Sequence, residues 1–274
     1  MNPPVDKEAF AERLQKESDA FRNEATEAWT ELFEAAKRKN ELAFVQSLFG
    51  EFRGAAAAGW NSAQECFVAL HDYVDFLNKM PSTDRLRIRV ALAFYCHISE
   101  ASGFYEVPKN LLRVAEGNHY IIVPFKDIVR EHRVTGDAIT PNASAVFKDL
   151  VGHSELLKFK KLTAVLKKAF DPDLRNAFAH ADYVVWTDGI RLTRRNGGIP
   201  TLVSYQDFSL KLQRAVDFFN VLALVQKVFL KAYDPPKTIL GRLGGGPEEN
   251  WTISFDPTNG KIGIESKGVT SHVT

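Results

Sequence analysis

Apolar side chains recur every three or four positions between residues 6 and 38, at Phe10, Leu14, Phe21, Ala25, Ala28, Leu32 and Ala36, with no Pro or Gly among them. That spacing lays one apolar stripe along a helix, so a single long amphipathic helix is predicted. A break from Gly50 to Gly59 follows. Residues 62 to 79 carry a second stripe through Cys66, Leu70, Tyr73, Val74 and Leu77, ended by Met80-Pro81. Ser82 is placed to cap a third helix. Its stretch from 86 to 98 is apolar on nearly every side apart from Arg87, Arg89 and His97. Such a helix belongs at the centre of a bundle or in a subunit interface.

Between 101 and 141 the pattern is mixed: 107 to 116 reads as a short helix, while 120 to 125 is β-branched and aromatic, as a strand would be. Helical spacing returns at 143 to 151 and at 154 to 170, the latter with lysines at 158, 160, 161, 167 and 168. Asp171-Pro172 starts a further helix, because Asp accepts from exposed backbone N–H groups and Pro suits the first helical position. Short β-like runs at 183 to 186, 190 to 194 and 201 to 204 are separated by Thr187-Asp188-Gly189 and Asn196-Gly197-Gly198. An antiparallel meander is predicted. Ser204 and Asp207 resemble a capping box opening an apolar helix from 208 to about 233, which Pro235-Pro236 stops. Residues 243 to 247 read as a Gly-rich linker and 251 to 265 as one hairpin. The predicted fold class is mainly α: a helical bundle with a small antiparallel β meander and a C-terminal β hairpin. It divides into a helical domain over 1–240 and a linker and hairpin tail over 241–274.

With 274 residues, 45% of them hydrophobic and 11% aromatic, the chain can close a sizeable core. Its formal net charge of +1 supplies no overall attraction to nucleic acid or anionic membrane, so a charged partner must be met by a local patch. Residues 1 to 52 hold 7 Lys/Arg against 11 Asp/Glu, whereas 153 to 195 hold 9 against 5. The two regions have opposite sign. Cys66 and Cys96 form neither a disulfide framework nor a Cys-x-x-Cys motif, and read as buried thiols of a reducing compartment. The polar start of the chain lacks the features of a signal peptide. The most apolar stretch, 218 to 230, is interrupted by Asn220, Gln226 and Lys227 and falls short of the roughly 18 to 20 apolar residues of a membrane span. A cytoplasmic protein away from membranes is expected.

Several familiar motifs are missing: His-Glu-x-x-His, Gly-x-Ser-x-Gly and Gly-x-Gly-x-x-Gly do not occur, and the run from Gly241 to Gly246 leads into a strand-like segment and should not bind phosphate. His71 and Asp75 share a helix face, but no third ligand has metal-binding spacing. No metal or cofactor is expected. Arg113 and His119 straddle Gly117, a helix-ending residue. The segment Arg175-Asn176-Ala177-Phe178-Ala179-His180 is different. Asn176 and His180 lie four apart on one helix face, and Arg175, about 140° away, is long enough to reach round. A guanidinium fork suits phosphate oxygens, an imidazole moves a proton near neutral pH, and an amide orients a hydroxyl or phosphate. Together they suit phosphodiester chemistry that needs no metal. Lys158, Lys161, Arg191, Arg194 and Arg195 are candidates to line an RNA path, with ordinary solvated charge as the alternative.

The run from Asp171 to Tyr183 resembles the signature of the HEPN family (higher eukaryote and prokaryote nucleotide-binding domains), an Arg, often a polar Asn next, then a His after four to six residues. The resemblance is sharp over about thirteen residues and looser over 61–233, and leaves 1–60 as an N-terminal helical extension. It implies a helical bundle of HEPN type with the motif on a late helix. The implied activity is that of a metal-independent endoribonuclease, acting as a homodimer with two motifs facing each other. Arg175, Asn176 and His180 match the motif as its catalytic residues. A toxin or antiviral effector with a protein antitoxin or regulator is the implied setting. One position departs: in members silenced by a nucleotidyltransferase a tyrosine follows the histidine after one residue, where this chain has Asp182, with Tyr183 one step later. Two alternatives stay open, a purely structural role for the Arg and His, and a non-catalytic module that binds a nucleotide, RNA or a protein.

Overall fold

The computed structural model describes residues 7–48, 62–79, 83–193, 198–243, 246–258, 260 and 262–266. Over these residues the helices are α1 (Lys7–Lys39), α2 (Glu41–Leu48), α3 (Ser62–Lys79), α4 (Asp84–Ser99), α5 (Ser102–Glu116), α6 (Ala143–Leu156), α7 (Lys160–Ala169), α8 (Pro172–Ala179) and α9 (Tyr205–Leu230). The strands are β1 (Arg130–Glu131), β2 (Ala138–Ile139), β3 (Tyr183–Val185), β4 (Gly189–Leu192), β5 (Thr201–Ser204), β6 (Lys237–Arg242), β7 (Glu248–Phe255) and β8 (Ile262–Ser266). The protein is mainly α, with small antiparallel sheets.

α1 lies where its stripe predicts, and that stripe is the centre of the bundle. Ala25, Ala28, Trp29, Leu32, Phe33 and Ala36 are fully enclosed, packed chiefly by α9, α5 and α7. Burial of each large side chain contributes about 1.5–3 kcal/mol. Trp29 meets Phe218 of α9 at 5.3 Å between ring centroids. Beside it, the Ser18 hydroxyl donates to the buried Asp217 carboxylate at 2.6 Å. The segment expected as an extension of the bundle is therefore its hub. α4 and α9 spend most of their apolar surface inside the chain: among their large hydrophobic residues only Leu86, Leu224 and Val228 stand exposed.

Several boundaries differ from the sequence pattern for identifiable reasons. α4 is capped by Thr83, whose hydroxyl accepts from the Leu86 N–H; Ser82 lies outside the described residues. α5 begins at Ser102, ahead of the predicted 107, and runs through Pro108. Proline removes one helical hydrogen bond, and this is offset by burial of Phe104, Tyr105 and Val107, with Phe104 stacked on Phe219 at 3.8 Å. The stretch 120 to 125 is no strand. The buried Asn110 amide donates to the Ile121 carbonyl at 3.0 Å and accepts from its N–H at 3.1 Å, doing for this loop what a neighbouring strand would do.

The predicted meander forms as β3-β4-β5, pairing Val184 with Arg191 and Arg191 with Leu202. Ser204 caps α9 and exchanges contacts with Asp207, as the capping-box spacing predicts. The predicted C-terminal hairpin has a third strand, β6, so residues 243 to 247 belong to the connection between β6 and β7. Only Ile239 of β6 is buried, which hides the strand from a period-two reading. This sheet packs on α2. Gly241 approaches Leu42 so closely that a Cβ would stand 2.9 Å from its Cδ2, and Ile239, Ile253 and Ile264 join the common core.

Candidate functional site

α8 is held at both ends before any functional group is considered. At its start the Asp171 carboxylate accepts from the N–H groups of Asp173 and Leu174, both at 3.0 Å, which satisfies two of the helix's unpaired donors. The Asp171 N–H donates to the buried Tyr95 hydroxyl of α4 at 2.7 Å, and its carboxylate pairs with Lys211 of α9 at 2.7 Å. Leu174 and Ala177 point into the core. At its end Ala181 adopts a left-handed conformation (φ 56°), its N–H donates to Phe178, and the Asp182 N–H donates back to Ala177. These are the two bonds of a Schellman turn. His180 is the C-cap, so its side chain leaves from the rim of α8.

Arg175, Asn176 and His180 line one open cleft of about 480 Å³, walled otherwise by Asn142 before α6 and by Leu192, Thr193 and Thr201 of the meander. The sequence-predicted triad is thus brought together. Its arginine is already committed. One terminal nitrogen donates to the Asn176 side-chain oxygen at 2.8 Å, and the other forms an ion pair with Glu100, the C-cap of α4. The second Glu100 oxygen accepts from the Ala143 N–H at 3.1 Å, at the start of α6. One carboxylate therefore takes one arm of the guanidinium and an N–H at the positive end of a helix, two features that favour a phosphate, while the buried Arg175 Nε has no hydrogen-bond partner. Nearby, burial pushes the Cys96 thiol up from its usual range while Arg175 pulls it down.

Glu100 is the site residue the sequence conceals. It stands seventy-five positions from Arg175 in no motif with it. Its one local signal is an acidic group at a helix C-terminus, where the dipole disfavours negative charge.

Among the described residues, the predicted RNA-path positions Lys158, Lys161 and Arg191 do not line this cleft. Lys158 sits with φ 64° in the turn between α6 and α7. Lys161 pairs with Glu27 of α1 at 2.6 Å, and Lys168 pairs with Glu24, so the basic and acidic regions of the sequence meet each other along the α1–α7 seam. Arg191 pairs with Asp188 at 3.3 Å and lies over the Trp186 ring at 5.2 Å, on the meander surface and not in the cleft. Arg194 and Arg195 lie outside the described residues. The charged side chains that do line the cleft include Asp173 and Asp182. Among the described residues it is not a basic groove.

Among the described residues no cluster of three or more His, Cys, Asp or Glu side chains is placed to hold a metal ion. Asp75, considered with His71, pairs with Lys79 at 2.6 Å. Among the same residues no helix is long and apolar enough to cross a membrane. No protein-family model, curated protein or solved structure matches the chain.

Proposed function

We propose that the protein is a metal-independent endoribonuclease of HEPN type. The observation that supports this is the meeting of Arg175, Asn176 and His180 on the wall of one open cleft, set there by a helix braced at both ends. In this reading the His180 imidazole takes the proton of a ribose 2'-hydroxyl as that oxygen attacks the adjacent phosphorus. The P–O5' bond breaks, and the departing oxygen takes up a proton to become a 5'-hydroxyl, leaving a 2',3'-cyclic phosphate. Arg175 stabilises charge on the non-bridging oxygens once phosphate displaces or shares its Glu100 partner, and Asn176 positions the scissile group. The nucleophile is already present in RNA, so the chemistry requires no metal activation of water. Cleavage needs one group to take a proton and one to give it; a homodimer that brings two motifs together supplies both. A cytoplasmic toxin or defence effector with a regulatory protein partner belongs to the same proposal.

The ion pair with Glu100 favours a second reading. Both terminal nitrogens of Arg175 are engaged by the chain itself, as in a structural brace or a module that binds without cleaving. Three measurements on wild type and His180→Ala separate the two: RNA cleavage in EDTA, RNA affinity and melting temperature. A nuclease loses cleavage in the variant, with affinity and melting retained. Equal cleavage by both proteins would end the catalytic reading.

A further inference from the structure

A second cleft of about 700 Å³ lies between α5, α6 and residues 127–130, and its polar floor is built from groups a purely structural interface would avoid. Lys109 is 8% exposed, and its ammonium contacts the Asp149 carboxylate at 2.7 Å and the His153 Nδ1 at 3.3 Å. The ammonium donates to Nδ1, so the imidazole carries its hydrogen on Nε2 and donates to Glu116 at 3.2 Å. Taking such charges out of water costs several kcal/mol per ion before their mutual attraction is counted. Groups of this kind in a cleft are characteristic of ligand sites.

The charges of the wall do not balance. Asp149 and Glu116 are committed to Lys109 and His153, and one further carboxylate, Asp127, stands on the wall against three further cations. Among the described residues, Arg113, Arg130 and Lys148 line the same cleft with no carboxylate paired to any of them. The Arg113 Nε is shut off from solvent with no hydrogen-bond partner, an orphaned donor of the kind that native proteins rarely leave.

An independent feature points the same way. Gly152 lies inside α6 and lines this cleft. Glycine at such a position costs about 1 kcal/mol relative to alanine, and it is normally explained by a neighbour that needs the space. Among the described residues, nothing apart from its chain neighbours and its own helix backbone lies within 4 Å of where its Cβ would be. The missing side chain leaves a bare patch of helix facing open volume, beside Val129 and Leu156, which is 69% exposed.

We propose that this cleft is a binding site for a small phosphate-bearing molecule with an apolar or planar portion, a class to which nucleoside phosphates belong. Arg113, Arg130 and Lys148 receive the phosphate, and the apolar portion lies over Gly152 against Val129 and Leu156. The volume suits a ligand of that size, since small-molecule sites run from about 300 to 1,000 Å³. The site is separate from Arg175 and His180 and does not depend on the nuclease reading.

The test is calorimetric titration of the full chain with pyrophosphate, ADP and a short RNA. Wild type should bind ADP at one site per chain, and more tightly than pyrophosphate. Gly152→Leu fills the cleft without replacing a charged group and should abolish ADP binding while the melting temperature is kept. Lys148→Ala should weaken it about tenfold, and Arg175→Ala should leave it unchanged. The proposal is overturned if neither ADP nor pyrophosphate binds at millimolar concentration, if binding survives Gly152→Leu, or if it is lost in Arg175→Ala. Binding of RNA alone, blocked by Gly152→Leu, would overturn the small-molecule assignment and make the cleft part of an RNA path.

Discussion

Arg175 and Arg113 each stand in a cleft beside α6, but one has its charge answered from within the chain and the other does not. At α8 the carboxylate of Glu100 occupies the guanidinium, and Asp173 and Asp182 line the same walls. Among the described residues between α5 and α6, two of the three carboxylates are taken by Lys109 and His153, Asp127 pairs with none of the cations, and Arg113, Arg130 and Lys148 outnumber it. A cleft that holds the residues for chemistry is thus the less attractive of the two to an anion at rest, and a cleft with no recognisable motif is the more attractive. Residue identity marks where a proton can be moved, whereas the balance of committed and uncommitted charge marks where an anion will sit.

The largest expected effect tests whether the second floor is as tightly bound as its geometry implies. Lys109→Met strands Asp149 partly buried without its cation and should cost about 3 kcal/mol in urea unfolding, the scale for breaking a buried pair from one side. A loss below about 1 kcal/mol would mean that water reaches this cluster freely. The same floor carries a pH signature. Burial, and then the Lys109 charge, lower the His153 pKa, with Glu116 and Asp149 opposing. The unfolded chain therefore takes up a proton near pH 6.5 that the folded chain resists, and stability falls as pH drops below that value. His153→Gln should flatten that part of the stability profile; an unchanged slope would assign it to other groups.

On the other side of the comparison, His180→Ala should lower RNA cleavage roughly a hundredfold or more with melting preserved. Glu100→Gln asks what the internal carboxylate does. Removing one negative charge beside Arg175 should tighten RNA binding about fivefold, on the order of 1 kcal/mol for a partly exposed pair, and the gain should shrink at high salt. Unchanged affinity would show that Arg175 does not face the anion. The smallest effect concerns the turn that presents His180. Ala181→Gly relieves a left-handed alanine, and after the entropic cost of glycine should stabilise by about 0.5 kcal/mol. A destabilised Gly variant would mean that the Ala181 methyl packs against something the turn needs.

Three helix ends show what the sequence made legible. α5, α6 and α8 all close with the same pair of backbone bonds around a left-handed residue, Gly117, Lys158 and Ala181. The first end is readable because glycine favours that conformation, and it is also what separates Arg113 from His119. The other two use residues with no such preference. The predicted break between 151 and 154 accordingly falls short of the real turn, and His180 sits at a helix cap instead of on a helix face. α1, α9 and the strands of the meander were legible because their period agrees with their burial; in α3 Cys66 and Leu70 are buried as predicted but Val74 of the same stripe is exposed, and most of the Asn196-Gly197-Gly198 turn lies outside the described residues. The triad was legible because one short segment carries it. Glu100, and the cleft between α5 and α6, were not, because charge pairing across distant helices leaves no spacing to find.

The pairing of the first and last long helices also sets the order in which the chain can acquire its form during synthesis. Ser18 and Asp217, which meet beside the bundle's centre, are separated by 199 positions. At about 5–20 residues per second a ribosome needs roughly 10–40 s to make what lies between them. For that interval α1 can meet α2, α5 and α7, but the part of Trp29 and Phe33 that Phe218 and Phe229 of α9 cover stays open. α8, whose cap and Tyr95 contact form earlier, gains its Lys211 brace only when that late helix arrives.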